Sequence, residues 1–587
     1  MQCCLAVLQC RAGALKMPVP ADRRTGLCVL ALGLNLVFNA AANAQTLSDG
    51  AAVDQIRRPG QTELPSPEFE APGPAPAMIL PPVQPRQPSD RPGPDLRIFV
   101  QRFEFVGNTV FSDENLATLT ASFTGRVISS DELLGARDRI TLQYIENGYI
   151  NSGTVVPDQQ VVDGVITLQI IEGELTALAI TGNDRLRDDY IGRRVRLGAA
   201  APLNVRRLQE RMQILQENPL INRINAALAP GNRPGESELS VAVEESRPYQ
   251  LRLIADNHRS PSVGAEQATL VGEHLNLTGR GDLLRGSASL TEGLESIFAE
   301  YRIPVTAHDT ELGFYFEMTD SDVIEAPFDA LDIKSDSKTL GLSLRHPVYR
   351  VPGEEFGIGV VFERKWSETE LLGSKFSFAE GVVNGESDVS VLRLTQDWLR
   401  RSRNRVLAAR SAFSFGLDIL GATDNGVKPD GEFFHWLGQF QWAERLGNTS
   451  SELIFRADAQ LTNDPLLPME KFVVGGVDTV RGYRENQLVR DSGVVGSLEL
   501  RVPLLPKQTG DLRLRMAPFV DAGRSWNDRS TSGTKNITSA GLGLLLDYRQ
   551  VSARVYWAHA FDDAGNGNST SDLQDDGVHF SVSFSAF

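Results

Sequence analysis

From about Tyr249 to Phe587 the chain repeats one pattern: short stretches in which every second residue is apolar, separated by polar or glycine-containing turns. In ELGFYFEM, Leu312, Phe314, Phe316 and Met318 share one face against Glu311, Gly313, Tyr315 and Glu317. SAFSFGLDI sets Phe413, Phe415, Leu417 and Ile419 opposite Ala412, Ser414, Gly416 and Asp418, and VHFSVSFSA repeats the pattern near the end. A period of two marks strands whose two sides meet different surroundings. A soluble sandwich also alternates, but it must bury its apolar faces, and about 340 residues exceed what one such core sustains without splitting. A sheet closed on itself in lipid has no such limit, because its apolar side looks outward. At roughly 20 residues per strand and connection the region holds about 16 strands, the even number such a barrel requires. The expected fold is therefore mainly β, a transmembrane antiparallel barrel over residues 249–587. No run of about 20 apolar residues follows the N-terminal region, so a helical span is not expected.

Residues 1–44 read as a signal peptide. Arg23-Arg24 precede the apolar run LCVLALGLNLVF, and Ala42-Asn43-Ala44 forms a small-x-small cleavage pattern before Gln45. Met17 can serve as the start, since residues 1–16 add nothing a signal needs. A buried helix is the alternative, but proline-rich sequence follows the cleavage pattern at once. All four cysteines, Cys3, Cys4, Cys10 and Cys28, precede that site, which leaves the mature chain without a disulfide framework or a thiolate metal site. Residues 45–96 form a short N-terminal segment and a linker. The segment Thr46–Arg58 is a weak helix former, and PSPEFEAPGPAPAMILPPVQPRQPSDRPGP favours extended polyproline geometry, a semi-rigid spacer.

Two similar modules follow, at residues 97–173 and 174–246. IFVQRFEFVGNTVFSDENLATLTASF predicts a strand ending at Gly107-Asn108, then a helix capped at Ser112 with Asp113 and Glu114 in its first turn. A second helix, SDELLGARDRITLQYIENGYI, leads to strands at Gly153–Pro157 and Gly164–Ile171. The order returns in LTALAITGNDRLRDDY, a helix from Asn204 to Asn218, INRINAALAPG and ELSVAVEE. A repeat of about 70 residues in strand–helix–helix–strand–strand order implies two small α+β domains.

The formal net charge of −17 argues against a nucleic-acid binder. No H-E-x-x-H, G-x-S-x-G or G-x-x-x-x-G-K-[ST] pattern is present. His258, His274, His308, His346, His435, His559 and His579 are scattered without i,i+4 pairing and read as lumen, loop or interface residues. The expectation is no enzyme, no cofactor and no metal.

The stretch GGVDTVRGYRENQLVRDSG, Gly475 to Gly493, is too polar for a core strand and too rich in glycine for a helix. It carries Arg481 between flexible joints at Gly475-Gly476 and Gly482. About 40 residues later DLRLRMAPFVDAG alternates so that Leu512, Leu514, Met516, Pro518 and Val520 face lipid. That parity turns Arg513, Arg515, Phe519, Asp521 and Gly523 into the lumen, where a carboxylate needs a partner or water. A plain extracellular loop is the alternative reading of Arg481-Gly482-Tyr483.

Val480–Tyr483 (VRGY), the F-x-D-x-G at Phe519, Asp521 and Gly523, and the tandem modules together resemble the two-partner secretion transporters. These are outer-membrane proteins of the haemolysin secretion/activation type, with two polypeptide-transport-associated (POTRA) domains before a barrel. The resemblance covers nearly the whole mature chain. LNLTGRGDLLRGSASL, Leu275 to Leu290, looks like the first barrel hairpin of the superfamily, and Arg280-Gly281-Asp282 in it reads as a turn rather than an adhesion motif. The resemblance implies a latch: Arg481, with Val480, Gly482 and Tyr483 on an inward-folded loop, against Asp521 of the wall, with Phe519 and Gly523 beside it.

It also implies an outer-membrane pore, with its POTRA domains in the periplasm, that exports a large exoprotein of adhesin or haemolysin/cytolysin type bearing an N-terminal secretion domain. No nucleotide hydrolysis is expected. Outer-membrane lipid, periplasmic chaperones and the barrel-assembly machinery are the other partners, with no nucleic acid. An assembly insertase of the same superfamily is the alternative, and a passive porin or a surface enzyme fits less of the pattern. The apolar phase Val578, Phe580, Val582, Phe584 and Ala586 leaves Phe587 one residue out of step, which a bulge would restore.

Overall fold

The computed structural model describes Phe69 and residues 77–80, 97–447, 449–505, 511–527, 534–563 and 571–586. The signal peptide, the segment Thr46–Arg58, most of the proline-rich linker and Phe587 lie outside the described residues.

Each α+β unit is built on the same local device. In the first, strand Arg102–Val106 ends at Gly107-Asn108 and the chain enters helix α1, Asp113–Thr120, whose N-cap Ser112 accepts the Asn115 amide. Helix α2, Ser130–Glu146, starts with a capping box in which Ser129 and Glu132 satisfy each other's backbone amides. Strands Arg102–Val106, Val165–Ile171 and Gly153–Val155 then form a sheet in that spatial order, and its apolar side covers α1 and α2 through Leu116, Ile140, Tyr144, Ile166 and Leu168. The second unit repeats this with α3, Asp188–Gly198, and α4, Val205–Gln216, against strands Glu174–Thr181, Ile221–Pro230 and Glu236–Glu245.

The structure gives the repeat a physical content that the sequence pattern alone had not specified. Asn108 donates to the Phe111 carbonyl and to Asp113, and Asn183 donates to the Leu186 carbonyl and to Asp188. Glu172 accepts from the Thr109 and Val110 amides, and Glu245 accepts from those of Arg185 and Leu186. In both units a carboxylate at the end of the last strand thus ties down the turn that launches the first helix. The period, read from Gly107-Asn108 to Gly182-Asn183, is about 75 residues.

The remaining strands close a barrel. Sixteen long antiparallel strands run from Tyr249–Asp256 to Val578–Ser585, and the two-residue strand Ser374–Lys375 adds a side pairing. Closure is explicit: the first strand pairs with the second (Tyr249 opposite His274) and with the last (Asp256 opposite Ser581). Leu312, Phe314, Leu342, Val520 and Phe584 are exposed on the outer side, as the alternation requires. The last strand keeps an unbroken register with the preceding strand from Val578 to Phe584 and with the first strand from Ser581 to Ser585, so no bulge resets its phase there.

Leu275–Leu290 is not the first hairpin. Tyr249–Asp256 and Gln267–His274 precede it, which makes it the turn after the second strand plus the third strand, Leu283–Leu290. The first strand's face, exposed at Tyr249, Leu251 and Leu253, had been hidden by its position directly after the second module. Asp282 accepts from Thr278 and Tyr301, so the Arg280-Gly281-Asp282 turn is an internal brace.

Burial works against the Glu172 charge, but hydrogen bonds from Thr109, Val110 and Tyr144 outweigh it and hold the pKa below its ordinary value. A depressed folded-state pKa stabilises above the unfolded carboxylate's range and is lost as pH falls through the folded value. Protection factors of the α2 amides should therefore fall as pH drops below about 4. Glu172→Gln should lower protection at neutral pH and flatten that acid limb, as hydrogen exchange corrected for intrinsic rates would show.

Candidate functional site

The sixth outer connection, between strands Glu452–Thr462 and Ser492–Pro503, folds into the barrel instead of away from it. Its own hairpin, Phe472–Val474 paired with Leu488–Arg490, stands apart from the barrel sheet. Phe472, Val474, Val480, Tyr483 and Leu488 pack against Ala412, Leu437, Val495 and Ile537 of the wall. This apolar contact removes the loop from water and sets the depth at which its tip meets charged groups.

At that tip Arg481 makes four side-chain hydrogen bonds with the three nitrogens of its fork. Its Nε lies 2.8 Å from Asp521 Oδ2 and one Nη lies 2.9 Å from Asp521 Oδ1, a bidentate pair. The other Nη reaches Glu499 at 2.5 Å, Ser497 Oγ accepts at 3.0 Å, and the Arg481 backbone amide adds a bond to Asp521. The guanidinium lies 3.5 Å above the Phe519 ring and 4.8 Å from that of Tyr556. Arg501 in turn donates to Glu499 at 2.7 Å, so two cations meet two carboxylates. Arg481 is 4% exposed and Asp521 1%. The two rings and the loop itself cover this point of the lumen.

The neighbouring residues fit the tip to the wall. Gly482 has φ +91°, and a Cβ there would lie 2.8 Å from that of Ala558. A Cβ on Gly523 would meet Val474 and Val480 at 2.5 and 2.9 Å, so the missing side chain makes the seat for Val480. Tyr483 donates to the Thr538 carbonyl at 2.9 Å, and His579 Nε2 accepts the Gly482 amide. Arg484 pairs with Asp575 and Glu325 on two other outer connections. Val480, Arg481, Gly482 and Tyr483 are thus brought together with Phe519, Asp521 and Gly523.

Sequence reading did not name Ser497, Glu499, Arg501, Tyr556 or Arg484. The first three were within reach: in SLELR they alternate, and the strand's parity turns all three inward. Glu325 and Asp575 lie on outer connections, where no periodicity reports a side chain's direction.

The profile of the haemolysin secretion/activation proteins ShlB/FhaC/HecB matches residues 235–546, more than half of the chain's 587 residues. The chain belongs to that family. A POTRA domain of the ShlB type matches residues 98–173, the first α+β unit. The outer membrane transporter CdiB of Dickeya dadantii is 22% identical over 472 residues, covering 78% of this chain and 81% of that protein. The heme/hemopexin transporter protein HuxB of Haemophilus influenzae is 21% identical over 270 residues, 45% of this chain and 47% of its own length. The solved structure of CdiB from Escherichia coli superposes with a TM-score of 0.64 at 19% identity, covering 86% of this chain and 93% of that one, and so shares the fold.

As a member of this family the chain is an outer-membrane transporter for a partner exoprotein, with its POTRA domains in the periplasm. The family match favours export over the assembly insertase.

Removing one partner of a buried ion pair costs about 3–5 kcal/mol, because the other charge is left uncompensated. Asp521→Ala leaves Arg481 and Arg501 facing Glu499 alone. It should loosen the tip by about that amount. The readout is faster hydrogen exchange at residues 480–484, with the amides of strand Leu512–Trp526 still protected.

Proposed function

We propose that this transporter exports one large partner exoprotein of the adhesin or haemolysin/cytolysin type, and that the inward loop is its resting plug, held by Arg481. The observation that carries the reading is the closure of the Arg481–Asp521–Glu499 network between a loop that is not part of the barrel sheet and the barrel wall. All three nitrogens of the fork are engaged, yet the loop joins the wall by side chains and one apolar cluster rather than by sheet pairing. Such a contact is strong enough to hold a single position and breaks as a unit. Release of the tip would open a path without unzipping any barrel strand.

The exoprotein would enter through an N-terminal secretion domain recognised in the periplasm. POTRA sheets have edges to which an extended segment can add, with backbone bonds tolerating varied sequence. In the second unit, Ala77–Ile79 of the chain's own linker runs parallel to Ile221–Pro230 and takes one edge, while Met78 packs on the domain core. The opposite edge, Glu174–Thr181, pairs on one side only among the described residues. We assign client docking to that edge or to displacement of the linker strand. Folding of the client at the cell surface supplies direction, with no nucleotide hydrolysis by this chain. Periplasmic chaperones, the barrel-assembly machinery and outer-membrane lipid would act in biogenesis.

Two measurements test this reading, using the transporter's partner exoprotein. Arg481→Ala should cut secretion of that exoprotein severalfold or more while the barrel still inserts and migrates as a heat-modifiable band; wild-type secretion would defeat the latch. Deleting residues 174–246 should abolish binding of the exoprotein's N-terminal domain to the transporter in detergent, and retained affinity would refute the docking assignment.

A further inference from the structure

A second cluster of buried charges sits at the base of the same loop, on a different arc of the wall from the partners of Arg481. Glu470 belongs to the short turn Pro468–Glu470 that leads into the loop hairpin, and it is fully buried. Arg393 donates to both of its oxygens, at 2.8 and 3.0 Å, and Lys365 Nζ lies 2.9 Å from one of them. His435 Nε2 lies 3.0 Å from the other. Arg393 also binds Glu363 at 2.8 Å and Ser414 Oγ at 2.6 Å. Gln460 donates to the Glu470 and Asp491 carbonyls, at 2.8 and 3.0 Å, and so joins the two legs of the loop.

These partners come from strands Glu354–Leu371, Glu386–Arg401, Phe434–Arg445 and Glu452–Thr462. The tip's partners come from Ser492–Pro503, Leu512–Trp526, Val551–Ala560 and Val578–Ser585. The loop is therefore tied to two separate arcs of the wall by two separate ionic clusters. The base cluster balances two cations, Lys365 and Arg393, against Glu363 and Glu470.

We infer that Glu470 is a positioning residue for transport: a fixed anchor that keeps the loop's base on one wall, so that the Arg481 tip swings about it instead of the whole loop leaving the lumen. The inference rests on the reading of the loop as a plug. Physically it follows from the asymmetry of the two clusters. Glu470 lies next to the point where the loop leaves the wall, is held by two fixed cations, and has no lever arm. Arg481 lies at the end of the hairpin, flanked by glycines that can turn. A loop so built opens at its tip first and closes again in register.

The test uses the purified full-length transporter in lipid vesicles and a membrane-impermeant maleimide. No cysteine follows Cys28, so Val473→Cys places a single reporter thiol in the mature chain, at a loop position that is 3% exposed. In that background Glu470→Gln leaves an unbalanced buried cation, whereas Lys365→Met with Glu470→Leu removes one charge of each sign and keeps the barrel wall neutral. The charge-balanced double variant should keep heat-modifiable migration. Its reporter should label at least about tenfold faster than in the parent, because local opening there no longer breaks the ionic cluster. Glu470→Asp should restore slow labelling. Planar-bilayer recordings of the double variant should show a shift toward larger conductance. Parent-like labelling and conductance in a folded double variant overturn the anchor. Arg481→Ala in the same background separates the two readings: parent-like conductance there overturns the plug reading, while a conductance change there with a silent double variant overturns the anchor alone.

Discussion

A strand in hydrocarbon must have all its backbone donors and acceptors satisfied by other strands, because lipid offers none. The pairing of Tyr249–Asp256 with both Gln267–His274 and Val578–Ser585 meets that demand by leaving no edge. Closure then fixes much else. The wall cannot flex by losing a ladder without exposing backbone to lipid, so opening must come from something inside it. Alternation sends the apolar half of every strand outward, and the inward half is free to carry ions. Glu363, Lys365, Arg393, Glu499, Arg501 and Asp521 are all wall residues of this inward set.

An inward loop brings a further problem, since a lumen wide enough for a polypeptide also admits water. Water competes for every polar contact the loop makes. The loop meets this with apolar residues around the charges: Val480 in the seat left by Gly523, Tyr483 against the wall, Phe519 and Tyr556 flanking the guanidinium. Arginine suits the tip where lysine would not. A planar fork reaches Asp521 with two parallel bonds, Glu499 with a third and Ser497 with a fourth, while its face stacks on a ring. An ammonium has three donors on a single nitrogen and no planar face, so it could neither make all four bonds nor lie flat on the ring.

The parts of this architecture that obey a period were legible in the sequence, and those that depend on distant encounters were not. Alternation gave the barrel, and Ser112 and Asn204 marked the helix starts that the structure shows. The inward parity of Phe519, Asp521 and Gly523 followed from one strand, and the Arg481–Asp521 encounter came from the family resemblance. Glu470 could not be anticipated: its partners Lys365, Arg393 and His435 lie on separate strands, up to 105 residues away, and no local rule brings them together. Leu275–Leu290 was placed one hairpin early because the first strand directly follows the second module, where no turn marks a boundary. Ala77–Ile79 sits in proline-rich sequence that favours a spacer, and its pairing with Ile221–Pro230 depends on an edge supplied by another domain.

The periplasmic and membrane parts are joined by charge as well as by chain. Arg194 of α3 stacks on Tyr190 and binds Asp309 at the foot of the barrel at 2.5 Å, and Arg350 binds the same carboxylate at 2.8 Å. Arg350 then reaches Glu355, Arg345 bridges Glu355 and Asp397, and Arg410 faces Asp397. Alternating charges thus run from the second POTRA domain onto the inner wall, and the Gly353 amide adds a bond to Glu217 at the end of α4. Because each internal member has a partner on both sides, a tilt of the domain that pulls Arg194 from Asp309 leaves Arg350 to rebalance against Glu355. The cost is shared along the ladder instead of falling on one buried charge. A seam of this kind lets the domain shift its angle to the pore while staying attached. That tolerance suits the docking proposed above, in which a client adds to the sheet edge of a domain joined to the foot of the barrel.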